Sequence, residues 1–274
     1  MLSNSINTCV KRMFSESQIR ILKKILFFGF RFKCPICHSH LRKMHPFGLN
    51  FPVLEKKQVI GGGYRENAVC PVCRSTDRER LLYLYLLNKT SFFTEKAKVL
   101  HVAPERELSR VIKTCSNIDY LTADISGNKV MEKMDITEIK HPAETFDIII
   151  CNHVLEHVVD DSKAMNELYR ILKSGGWGIL QVPISMTLDK TYEDISVTDP
   201  SEREIKFGQS DHVRIYAKDY LDRLKESGFE VDCFNWEQDT GFFCGDNKYA
   251  LLQSECVVVV HKPRNCNTAE TGST

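Results

Sequence analysis

Residues 146–183 read FDIIICNHVLEHVVDDSKAMNELYRILKSGGWGILQVP, and this stretch decides the fold. An apolar run over Phe146–Cys151 is strand-like, an amphipathic segment follows it, and a second apolar run closes the unit. Strand, helix and strand in that order make one parallel crossover unit, because parallel strands cannot be joined by a tight turn. Gly175 and Gly176 read as the stop of the helix. Between strand and helix lies a polar loop carrying Asn152, His153, Glu156 and His157. That loop falls at the carboxyl end of the first strand, where open α/β sheets bind ligands.

The same alternation extends outward. Residues 98–102 (KVLHV) form a short apolar strand, with a helix starting near Pro104; residues 120–123 form another, ending at Asp124. Met134-Asp135-Ile136 gives a third segment. Beyond Pro183 come a long polar excursion, a helix over 217–227 closed by Gly228, and strands near Val231 and over 257–260. Such alternation predicts a doubly wound α/β sheet. A strand followed by HVLEHV, then a helix ending in LKSGGWGIL, resembles the class I S-adenosylmethionine-dependent methyltransferases over roughly residues 97–262. The resemblance implies a mostly parallel, seven-stranded, Rossmann-like sheet with one antiparallel strand from the final pair. It also implies S-adenosylmethionine as cofactor.

In that family a glycine-rich turn after the first strand admits the methionine end of the cofactor. Here the turn reads VLHVAPE, residues 99–105, without glycine, so Ala103 and Pro104 must shape it. Pro104 suits a first-turn helix position. Glu105 either accepts from the cofactor's ammonium group or merely offsets the positive end of the helix dipole. Asp124, a carboxylate ending the second strand, can take both ribose hydroxyls. Asp135 and Ile136 match the pair that contacts adenine in the family, and Asn152 sits where the fourth strand opens toward the cofactor.

Two knuckles, Cys34-Pro35-Ile36-Cys37 and Cys70-Pro71-Val72-Cys73, carry the second motif. Four thiolates in two such pairs can close a tetrahedron around a structural Zn2+. The stretch between them contains Gly61-Gly62-Gly63 and reads as strand and loop, and a helix over 76–87 follows the second knuckle. His38, His40 and His45 are nearby, but four thiolates already suffice, so they read as surface or packing residues. Free thiols or a redox pair are the alternative.

Net charge is +1 with 37 Lys and Arg against 36 Asp and Glu, yet residues 1–88 carry +10 and residues 89–274 carry −9. A basic third on an acidic remainder suggests an anionic partner at that end, phosphates or a membrane surface alike. Residues 16–30 (ESQIRILKKILFFGF) read as a basic amphipathic helix with Ser15 as cap. Such a helix can lie in a membrane interface, or dock on its own protein or a second copy. No segment has the ~18 uninterrupted apolar residues of a membrane span. Eleven cysteines without a secretion signal point to a reducing, cytoplasmic setting, with the membrane periphery allowed by the helix. The organisation expected is a basic helix (1–33), a four-cysteine module with its following helix (34–88), a methyltransferase domain (89–264) and a disordered tail (265–274).

For catalysis the candidates are His153, Glu156, His157 and, in GQSDHVRIY, His212. A similar arrangement occurs in small-RNA 2′-O-methyltransferases, where a divalent ion binds the acceptor hydroxyl. This chain has His153 where those enzymes have Glu, which shifts preference toward softer ions. A second divalent ion, a metal-free general base and a purely structural loop all stay open. The excursion from Ser185 to His212, with Tyr192, Glu193, Asp194, Arg203 and Gln209, is where an acceptor would dock. The knuckles, the VLHVAPE turn and FGQSDHVRIY together resemble bacterial methyltransferases associated with surface-polysaccharide genes, implying a small-molecule, glycan or lipid-linked hydroxyl as acceptor. The alternatives are an RNA methyltransferase gripping phosphates through the basic module, and a fold that lost its chemistry.

Overall fold

The computed structural model describes residues 15–239 and 246–264. The expected tail over 265–274 and the first 14 residues of the basic segment lie outside these. Helix α1 (Glu16–Leu26) starts where Ser15 and Gln18 cap each other reciprocally. It leads into β1 (Phe32–Lys33), β2 (His40–Leu41), β3 (His45–Phe47), a short α2 (Pro52–Lys56), β4 (Val59–Ile60) and β5 (Arg65–Val69). These elements carry both cysteine knuckles. Helix α3 (Asp77–Lys89) follows, begun by a capping box between Thr76 and Glu79.

The main sheet uses β6 (Ala97–Val102), β7 (Ile118–Asp124), β8 (Glu132–Lys133), β9 (Phe146–Cys151), β10 (Leu172–Ile179), β14 (Glu230–Asn235) and β15 (Cys256–His261). Its order is β14-β15-β10-β9-β6-β7-β8, and β15 alone runs against the others. The excursion contributes β11 (Ile184–Ser185), β12 (Tyr192–Glu193) and β13 (Arg214–Ile215) in small two-stranded sheets.

Both faces of the sheet are apolar because its strands are buried on both sides. Ile149, Cys151, Val258 and Val260 face one layer, with Ala164, Met165 and Leu168 of α5 (Asp161–Ile171). Ile148, Ile150, Val257 and Val259 face the other, with Leu81 and Leu82 of α3 and with Leu108 and Ile112 of α4 (Arg106–Ile112). Each fully buried aliphatic side chain contributes ~1.5–3 kcal/mol.

Two local expectations change. Helix α4 starts at Arg106 with Glu105 as its cap residue, so Pro104 precedes the helix rather than opening it. The Gly175-Gly176 pair does not stop α5, which already ends at Ile171. It lies within β10, where the register against β9 shifts between Leu172 and Trp177. Gly175 has φ +76, and a Cβ on Gly176 would stand 2.8 Å from the Asp147 carbonyl oxygen, so this irregularity admits no side chain there.

Candidate active site

Beyond β9 the chain reverses sharply. His153 takes φ +54, its N–H donates to the Gln181 carbonyl, and Leu155–His157 forms one turn of 3-10 helix. The excursion zips onto that turn. Val213 N–H donates to the Glu156 carbonyl, and the buried Arg214 guanidinium donates to the carbonyls of Leu155, Val158 and Val159. Arg214 is itself anchored by Glu193 at 2.8 Å. This pairing, along residues distant in sequence, sets His212 beside His157 with ring centroids 4.6 Å apart.

Glu156, His157 and His212 consequently bring one ligand-capable atom each within 4.8 Å of one another. His153 is outside this trio but touches it, its Nδ1 3.3 Å from Glu156 Oε1. Asp211 approaches His157 Nδ1 at 3.2 Å. Burial pushes the Glu156 carboxyl up to about 8 and His212 down to about 4, and burial lowers His153 as well. Glu156 Oε2 and His153 Nε2 are buried without a hydrogen-bond partner. Unpaired buried polar atoms are costly, so these mark a place for a ligand.

The trio lines a cavity of about 510 Å³. Its other wall comes from between the two cysteine knuckles: Phe47, Leu49, Phe51, Leu54 and Val59. Strand β4 pairs with β11, Ile60 opposite Ile184, and Leu54 and Val59 pack with Phe207 and Ile215 of the excursion. The cavity also meets Arg78, whose Nε is buried without a hydrogen bond and stands 3.9 Å from Glu255. Neither Glu255 oxygen has a hydrogen-bond partner, and burial pushes its carboxyl up to about 7.

At the end of β6, Ala103 adopts φ +46, the left-handed backbone that glycine would take with less strain. Glu105 accepts from Asn152 Nδ2 at 3.0 Å and lies 2.7 Å from His101 Nε2, whose other nitrogen meets Tyr120 at 2.8 Å. Burial opposes ionisation of Glu105, yet His101 and the bond from Asn152 hold its carboxyl below its usual value. Asn152 keeps a buried, unpartnered Oδ1. Asp124, at the end of β7, is half-buried and receives Ser126 N–H at 2.7 Å through one oxygen. Asp135 caps Thr137 through one oxygen, and the next residue, Ile136, belongs to the core.

The cysteines Cys34, Cys37, Cys70 and Cys73 converge, all buried, with Sγ–Sγ distances of 3.6 Å (Cys34 to Cys73) and 3.8 Å (Cys37 to Cys70). The knuckles are copies of each other. Cys34 N–H donates to the Ser39 carbonyl as Cys70 N–H does to Ser75, and His38 and Arg74, each just after the second cysteine, take φ +57 and +72. Four thiolates this close would repel one another, and a cation among them removes that repulsion. The cluster fits a zinc module.

A methyltransferase domain model matches residues 78–233, more than half of the chain. The chain belongs to this methyltransferase family. No curated protein matches it. Solved structures similar to the methyltransferase include an S-adenosylmethionine-dependent methyltransferase from Archaeoglobus fulgidus, at 15% identity and TM-score 0.44, covering 67% of this chain and 94% of that one. A second, from Thermotoga maritima, has 16% identity and TM-score 0.41 over 67% and 91%. The YcgJ protein of Bacillus subtilis has 13% identity and TM-score 0.41 over 67% and 99%. Nothing about an acceptor follows from likenesses this distant.

Family and sheet order make the chain an S-adenosylmethionine-dependent methyltransferase. The residues present fit that cofactor: Ala103 takes the left-handed turn after β6, and Asn152 Oδ1, after β9, is buried without a hydrogen-bond partner beside Glu105 and Arg78. Arg78, Glu255 and the apolar wall from residues 47–59 were not singled out from the sequence. Glu255 carried no signal at all.

Proposed function

We propose that this methyltransferase transfers the methyl group to a hydroxyl of a small molecule or a glycan or lipid-linked acceptor. The acceptor occupies the cavity between the intercysteine wall and the loop after β9. What carries this reading is the convergence of Glu156, His157 and His212 on that cavity. When bound, S-adenosylmethionine supplies an electrophilic methyl on sulfur. Asp124 would hold the ribose hydroxyls, and Asn152, Ala103 and Glu105 the methionine end, with Glu105 acting through Asn152 because its oxygens are already engaged. Asp135 and Ile136 would face the adenine. His212 and His157, kept close by Arg214, would take the hydroxyl proton, with an effective molarity set by the rigid turn.

Asp124→Ala is expected to weaken cofactor binding by about 2 kcal/mol, since charge-assisted hydrogen bonds contribute ~1.5–3 kcal/mol each. Titration calorimetry measures this. Wild-type protein that binds no S-adenosylmethionine would refute the reading and favour a fold without chemistry.

The same three groups favour a second reading, a divalent ion at Glu156, His157 and His212, because two imidazoles and a carboxylate within 4.8 Å are a ligand set. Chelation separates the two. Activity lost on chelation and restored by added metal, with the cysteine cluster still loaded, supports the ion. Activity indifferent to the chelator supports the histidine base.

A further inference from the structure

Helix α1 lies with its apolar face outward. Its half-buried residues are Ile19, Arg20 and Lys23, and none of its residues is fully buried. The aliphatic stripe points the other way: Ile21, Leu22 and Leu26 are exposed, and Ile25 is 71% exposed. After the helix, Phe28 and Phe30 extend the same surface, Phe30 at 84% exposure, the two rings edge to face at 5.2 Å. On the inner side, Arg20 and Lys23 line a groove with Arg74, Arg106 and Arg110. A capped helix that turns cations inward and leucines outward has its stability supplied by whatever covers the outer face. Contiguous exposed apolar surface of this kind marks a docking site.

Charge selects the occupant. Residues 15–45 hold Arg20, Lys23, Lys24, Arg31, Lys33, Arg42 and Lys43, and Glu16 is their one carboxylate. Lys24, Arg31, Arg42 and Lys43 are exposed around the stripe. In a symmetric pair of copies, these cations would face their own equivalents, which opposes association. A nucleic acid would satisfy the cations and leave the aliphatic stripe in water. An anionic bilayer satisfies both, with the stripe entering the acyl boundary and the cations meeting headgroups.

We infer that the protein docks on an anionic membrane surface through Ile21, Leu22, Ile25, Leu26, Phe28 and Phe30. The surface leads to the cavity. Phe27 packs edge-on against His45 at 5.1 Å, and two residues along from His45 stands Phe47, exposed and lining the cavity with Leu49. On the acceptor reading above, a hydroxyl carried on a lipid anchor would reach the cavity without leaving the bilayer.

Sedimentation of the full chain with vesicles tests the docking independently of activity. Vesicles of phosphatidylcholine with about one third phosphatidylglycerol should bind at least about tenfold more tightly than phosphatidylcholine alone. Ile25→Asp and Leu22→Asp should each remove that binding while thermal stability and cofactor affinity stay unchanged, because both side chains are exposed. Lys24→Glu should weaken it and make what remains less sensitive to salt. Absence of binding to the anionic vesicles overturns the inference, whether a second copy, RNA or the chain's own residues 1–14 cover the stripe. A dimer in light scattering that Ile25→Asp splits would overturn it in favour of the second copy. Salt-sensitive RNA binding that survives Ile25→Asp, alongside vesicles left unbound, would do so in favour of RNA.

Discussion

Stripping the metal from the cysteine cluster, or replacing Cys70 by Ser, is expected to abolish methyl transfer along with the fold of the N-terminal module. Structural zinc sites contribute on the order of 10–16 kcal/mol to folding, as much as the whole net stability of a domain. Here the loss reaches the cavity directly, because Phe47, Leu49, Leu54 and Val59 stand between the knuckles and wall it. Leu54 also sits so close to Gly208, after α6 (Pro200–Phe207), that a Cβ there would be 2.5 Å away. Releasing the wall therefore unseats the excursion that carries His212. Metal analysis should find about one zinc per chain. Methyl transfer should fall at least about a hundredfold in the stripped protein and in Cys70→Ser. Folded, active protein with no zinc would falsify the arrangement.

Arg80→Ala is expected to cost about 3–5 kcal/mol, since each buried acceptor left without its charged donor costs ~1–3 kcal/mol and several lose theirs at once. Arg80 is fully buried and donates to five carbonyls: Asn67, Ala68 and Ser75 in and beside the second knuckle, and Tyr249 and Ala250 before β15. Removing it withdraws five charged donor bonds from these carbonyls, of which Ser75 keeps the bond from Cys70 N–H, and loosens the knuckle from the sheet. The thermal midpoint should drop by roughly 10 °C, at ~2–4 °C per kcal/mol for a chain of this class. Arg80→Lys should rescue little, since an ammonium has three donors and cannot span five carbonyls. Urea denaturation of both variants measures the difference; a loss under about 1 kcal/mol for Arg80→Ala would contradict the clamp.

The sheet was legible in the sequence because its signal is local. Apolar runs at 98–102, Phe146–Cys151 and 257–260 are long enough to declare buried strands, and Thr76 with Glu79 spells a helix start. Gly175-Gly176 misled because glycine punctuates both helix ends and strand irregularities, and only the pairing with β9 distinguishes them. Among the candidate site residues, Asn152, His153, Glu156 and His157 announce themselves by following a buried strand. His212 could be named, but its partner could not be assigned from spacing, since Arg214 and Val213 bring it in across more than fifty residues. Glu255 and Arg78 had no periodicity or motif of their own; their interest comes from burial without hydrogen bonds, a property of the assembled fold. The pairing of β4 with β11 is two residues long on each side, too short to leave any pattern.

The paired knuckles hold residues 38–69 the way a chuck holds a drill bit. Both ends of that segment are gripped by sulfur, so lengthening it outside β3, β4 and β5 adds only closure entropy, roughly 0.6 kcal/mol for each doubling. Its grip, the cluster and Arg80, lies apart from the tip that reaches the cavity. Shape at the tip can accordingly drift, lengthen or be exchanged for another while the grip and the sheet behind it stay as they are. One frame of this kind can carry a differently shaped cavity wall by replacing a single contiguous stretch of chain.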